Sequence, residues 1–176
     1  YKYIKERRLL PFILLTFIAF AIHKSALVFF PFYFLANKKV TKKYLITILA
    51  IFPLAMFFRA PLALFFQDVS GYEYGIYEGA GTVNFTILLL LVVIVGLWKS
   101  KKILTNNPQA THFFNALIIS VLTTPLTWVN PDAMRVVQYY SIFLMLLVPE
   151  IINSFKKEER PIIYFIVIAL LVILLL

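Results

Sequence analysis

LLPFILLTFIAFAIHKSALVFFPFYFLANKKVTKK, residues Leu9–Lys43, holds the reading that decides the fold. An apolar run from Leu9 to Ala36 is broken once, at His23-Lys24-Ser25, and ends in a basic run carrying Lys38, Lys39, Lys42 and Lys43. The segment before it, YKYIKERR, is equally basic. Lysine- and arginine-rich flanks of apolar segments stay on the cytoplasmic side of a membrane. With both flanks basic, the chain is expected to leave that side and return to it. Each arm is about 14 residues and rises only ~21 Å as a helix, short of the roughly 30 Å hydrocarbon core. The stretch therefore predicts a hairpin of two short helices, with His23-Lys24-Ser25 deep in the membrane and toward its outer half. A backbone break at that depth persists only where protein or a watery cavity surrounds it. The competing reading, one helix of about 28 residues, would leave one basic flank outside.

The rest of the chain repeats the pattern of apolar run and charged boundary. Of its 176 residues, 62% are hydrophobic and 14% charged. Soluble domains run at about 45–50% and roughly 25%, so lipid is the expected solvent. Further helices are predicted over Tyr44–Phe66, Gly81–Trp98, Phe113–Val129, Met134–Phe155 and Pro161–Leu176. The fold class is all-α: a polytopic transmembrane bundle of about seven helices, including the broken pair around His23, in a single transmembrane domain over residues 1–176. Pro53, Pro61, Pro125 and Pro149 lie inside apolar segments and permit kinks. The chain opens at Tyr1 without an initiator Met and closes inside an apolar run, which reads as a fragment of a longer protein.

The net charge of +9 does not point to nucleic acid, because the cations cluster between apolar runs rather than along one face. Fourteen of the 17 lie in Lys2–Arg8, Lys38–Lys43, Lys99–Lys102 and Lys156–Arg160, the expected cytoplasmic loops. The connections Gln67–Ala80 and Val129–Ala133 hold no cation and carry Asp68, Glu73, Glu78 and Asp132, which places them outside. There is no cysteine, so disulfides and thiolate chemistry are excluded. The two histidines, His23 and His112, show no metal-ligand spacing.

Three cations remain: Lys24, Arg59 and Arg135. An ion within the membrane costs at least ~2.5–3.5 kcal/mol at a helix centre and calls for a partner or a purpose. Counting residues along each helix puts all three in the outer third of the membrane. Cations converging at one level suit an anionic ligand, and guanidinium forks match phosphate oxygens. The alternative for the arginines is snorkelling to headgroups or pairing with Asp132. His23, beside Lys24, is either a general base or a helix cap, since imidazole titrates near working pH. His112, at the start of a helix, reads as a cap or interface residue. Arg135, Gln138 and Tyr139 fall at i, i+3 and i+4, one face that either lines the same cavity or packs against a neighbour. The outer loop QDVSGYEYGIYEGAG carries Tyr72, Tyr74 and Tyr77, which suit either sugar stacking or the ordinary interfacial belt of aromatic residues.

IAFAIHKSALVFFPFYFLANKK resembles a segment of the EpsG family, Wzy-like bacterial exopolysaccharide polymerases, in which small and apolar residues precede His-x-Ser-Ala-Leu, a proline and a basic loop. MRVVQYYSIFLMLLVPEII is similar to the family's later helix, with Arg shortly before a Tyr-Tyr or Tyr-Phe pair and then Pro. The order and separation of the two segments also fit. The resemblance implies a polysaccharide polymerase of the bacterial cytoplasmic membrane, of glycosyltransferase type, that uses neither cofactor nor metal. It would transfer glycan from a polyprenyl pyrophosphate carrier to another carrier-linked sugar, among membrane lipid and other polysaccharide-assembly proteins. On that reading His23, Arg59 and Arg135 are catalytic, and Lys24, Ser25, Gln138, Tyr139, Tyr72 and Tyr74 contact substrate. The main alternative is a transporter or flippase of lipid-linked oligosaccharides, which needs the cations but no base. A membrane acyltransferase would use the histidine without the arginines, and a structural subunit would need neither.

Overall fold

A computed structural model of the chain describes residues 1–70, 82–130 and 133–175. The described residues are helical, with no strand among them. In chain order they form α1 (Lys2–Lys5), α2 (Leu9–Ile22), a 3-10 helix (Lys24–Phe29), α3 (Phe32–Leu35), α4 (Lys42–Phe57) and α5 (Arg59–Ser70). Then follow α6 (Val83–Asn106), α7 (Ala110–Thr127), α8 (Met134–Ser141), α9 (Leu144–Asn153) and α10 (Arg160–Leu175).

The interruption at His23 is a reversal of the chain. Three consecutive apolar turns carry α2 to Ile22, where His23 leaves the helix with φ −145° and ψ 112°. The following residues wind into the tighter 3-10 helix, and Pro31 starts α3 with its fixed φ of −59°. The two arms lie against each other: the Phe12 ring of α2 stacks on Phe30 and Tyr33, at centroid distances of 6.1 and 4.9 Å. The hairpin's base is anchored to α7. Asn115, fully buried, donates from Nδ2 to the carbonyls of Ala36 and Lys38, both at 2.8 Å. His112 is an interface residue there: its Nε2 donates to Asn37 Oδ1 at 3.0 Å, and its Nδ1 accepts from the Tyr1 hydroxyl at 2.8 Å.

α7 is the central post. Over its apolar window 78% is buried, against 22% for α6, so α7 faces protein where α6 faces outward. Several of its polar side chains bond to backbone carbonyls. Thr124 and Thr127 donate to carbonyls of their own helix, Val121 and Thr124, each at 2.7 Å, and Ser120 reaches across to the Val137 carbonyl of α8 at 3.2 Å. Gly96 lets α6 approach closely; a Cβ there would stand 2.9 Å from the Phe114 ring. Leu10, Ile22, Phe57, Met145 and Phe165 are exposed, an apolar exterior suited to lipid.

Two of the expected helices are each divided. The run expected as Tyr44–Phe66 bends by 78° between α4 and α5, and Met134–Phe155 bends by 42° between α8 and α9. Pro61 explains the first, since it cannot donate to the Phe57 carbonyl. The second falls at Ile142-Phe143, where Phe143, Met145 and Leu146 bond three residues back rather than four, at 3.1–3.2 Å. Pro125 and Pro149 lie inside α7 and α9 without ending them. The expected count of seven therefore gives way to ten α-helices and one 3-10 helix among the described residues. Two of these, α6 and α7, are long and apolar enough to cross a membrane alone, and up to four crossings result if each bent pair is one span.

Candidate functional site

The hairpin turn and α8 line an open polar site. A cavity of about 350 Å³ is lined by His23 and Ser25 from the turn, by Arg135, Gln138 and Tyr139 from α8, and by Ile142 at the α8 C-terminus. These last four repeat at i, i+3, i+4 and i+7, so a single helix face supplies them. None of the six lining residues is acidic, and Arg135 makes the cavity cationic.

Two neighbouring tyrosines fix the turn to α8. The Tyr139 hydroxyl is 2.9 Å from Ser25 Oγ, at the cavity. One residue on, about 100° around the helix, the Tyr140 hydroxyl donates to the Val28 carbonyl. The Tyr140 ring is 1% exposed and sits against Phe29 and Phe32, at 5.7 and 5.8 Å. Burying a tyrosine ring with its hydroxyl satisfied on the 3-10 backbone makes this an anchor for the break. Sequence reading passed over Tyr140, whose partner lies 112 residues away and leaves no signal in the local pattern.

His23 caps the 3-10 helix and stands at the cavity. As cap of the 3-10 helix, its Nδ1 accepts the backbone N–H of Ser25 at 3.4 Å, and Ser25 Oγ lies 3.1 Å from the same nitrogen. A backbone N–H can only donate, so Nδ1 carries the lone pair and the neutral ring bears its proton on Nε2. The same ring lines the cavity.

The remaining candidates are distributed differently. Lys24 is exposed beside the cavity mouth without being one of its lining residues. Arg59 is half-buried at the α4–α5 bend, where its guanidinium donates to the Met56 carbonyl at 2.8 Å, and it too lies outside the cavity lining. It thereby satisfies a carbonyl at the end of α4 that has no helical partner. Tyr72 and Tyr74 fall outside the described residues, as do Glu73, Glu78 and Asp132. Among the described residues, no three His, Asp or Glu side chains group as metal ligands.

Apolar helices long enough to cross a membrane, some of them bent or broken, with an open polar pocket carrying Arg135, define a polytopic membrane protein of helical-bundle fold. The family model of the EpsG family matches residues 1–176, and the chain belongs to that family. It is thus a membrane protein of the polysaccharide polymerase type. No curated protein and no solved structure matches it.

Proposed function

We propose that this protein joins glycan repeat units at the outer face of the bacterial cytoplasmic membrane, taking the growing chain from a polyprenyl pyrophosphate carrier without a metal ion. The observation that carries this reading is the meeting of His23 and Ser25 with Arg135 and Gln138 around one cavity. Pyrophosphate is a good leaving group once its charge is met, so the site needs cations more than a proton donor. Arg135 supplies a planar fork for the phosphate oxygens, with Lys24 and Arg59 adding to the positive field from the hairpin tip and the α4–α5 bend. Gln138 and Tyr139 offer hydrogen bonds to sugar hydroxyls, and Ile142 offers an apolar surface.

The chemistry is a single displacement. The acceptor hydroxyl oxygen attacks the anomeric carbon from the face opposite the pyrophosphate. The carbon–oxygen bond to the carrier breaks with its electron pair remaining on the phosphate oxygen, and the configuration inverts. The acceptor's proton passes to His23.

The outward orientation has a direct test, helped by the absence of native cysteine. A polar, membrane-impermeant thiol reagent added outside intact cells should label Ser25→Cys and leave Lys39→Cys untouched. Labelling of Ser25→Cys only after the cytoplasmic side is opened would overturn the outward cavity.

A further inference from the structure

We propose that Ser25 is the hydroxyl through which the acceptor's proton reaches His23, and that Tyr139 is the positioning residue that aims it. The inference deepens the polymerase reading and rests on it. Neutral His23 has its proton on Nε2, because Nδ1 accepts the Ser25 backbone N–H at 3.4 Å. The nitrogen able to take a proton is therefore Nδ1, whose single lone pair is shared between that long backbone contact and the nearer Ser25 Oγ at 3.1 Å.

A serine hydroxyl has one proton and two lone pairs. The proton points to Nδ1. The Tyr139 hydroxyl, 2.9 Å away, must then be the donor to Ser25, and it occupies one lone pair. The second lone pair is left for a hydroxyl in the cavity that these residues line. An acceptor sugar placed there donates its O–H to Ser25 Oγ.

As the acceptor oxygen forms its bond to the anomeric carbon, its proton moves to Ser25 Oγ, and the proton already on Ser25 moves to His23 Nδ1. Ser25 is unchanged at the end, His23 gains one proton, and the pyrophosphate departs with its electron pair. The proton returns by the same path to water once product has left. No oxidant, metal or covalent enzyme intermediate enters. Ser25 touches the reacting group and is catalytic; Tyr139 acts through Ser25.

The test uses the full-length protein in proteoliposomes with carrier-linked repeat units, measuring kcat and KM separately. Ser25→Ala should lower kcat by about 10²-fold or more with KM nearly unchanged. The double variant His23→Ala/Ser25→Ala should be no slower than His23→Ala alone, since the pair acts as one path. Ser25→Thr, which keeps a hydroxyl, should recover most of the loss. Tyr139→Phe, nearly isosteric and so the variant least exposed to misfolding, should lower kcat about tenfold at constant KM. Ser25→Ala near wild-type rate beside an inactive His23→Ala would overturn the relay and leave His23 as a direct base. Losses that multiply in the double variant, or Tyr139→Phe at full kcat, would also overturn it. His23→Ala at full rate would overturn the base itself and with it the polymerase chemistry.

Discussion

Replacing Arg135 with Gln is expected to abolish polymer while the protein still inserts at near wild-type abundance. Arg135 is the cation among the residues lining the cavity, on the exposed face of α8, with Gln138 and Tyr139 stacked beneath it on the same face. Gln keeps length and hydrogen-bonding capacity but loses the charge that a departing pyrophosphate requires. Removing one preorganised stabilising donor in such a site costs on the order of 10²–10³ in rate, and here the donor also carries the charge. Arg135→Lys should rescue only in part, because a point charge cannot reproduce the two parallel bonds of the fork. Arg59→Gln should also impair polymer formation. Arg59 donates to the Met56 carbonyl at the α4–α5 bend, so its loss should lower thermal stability in detergent as well. Full-length polymer from Arg135→Gln would reassign that residue to headgroup anchoring.

His23→Ala is expected to lower the polymerisation rate by about 10²–10⁴, the usual worth of a positioned general base. The same ring caps the 3-10 helix, and a lost cap costs about 0.5–2 kcal/mol of stability, so a second variant is needed. Asn is a good cap and a poor base. His23→Asn should therefore restore stability while leaving the reaction slow. A flippase would tolerate His23→Ala and fail only with the arginines. An active His23→Ala would leave His23 a cap alone.

How much of this was legible in the sequence follows from what each signal depends on. The hairpin was readable because two strongly basic flanks and arms too short to span leave little other choice. Residue spacing likewise put Arg135, Gln138 and Tyr139 on one face, since helical periodicity is a local property. The bends were harder. The one at Phe58-Arg59 has Pro61 behind it, but the one at Ile142-Phe143 has no proline within it, and Pro125 passes through α7 without a break. Helix bending there is decided by packing against neighbours, which spacing along the chain does not contain. For the same reason three cations at one depth did not imply three cations in one cavity. Depth follows from rise per residue; direction around the bundle follows from tertiary contacts, which turn Arg59 onto the Met56 carbonyl. The Tyr140–Val28 bond is long-range too, 112 residues apart, and only the packed structure joins its ends. Tyr72 and Tyr74 lie outside the described residues.

The most direct measurement is the reaction itself. Purified full-length protein in proteoliposomes, given polyprenyl pyrophosphate-linked repeat units, EDTA and no nucleotide sugar, should produce glycan longer than one unit and release the carrier pyrophosphate in step with each new linkage. Polymer that forms only when nucleotide sugar is added, or not at all until a divalent metal is restored, would contradict the account.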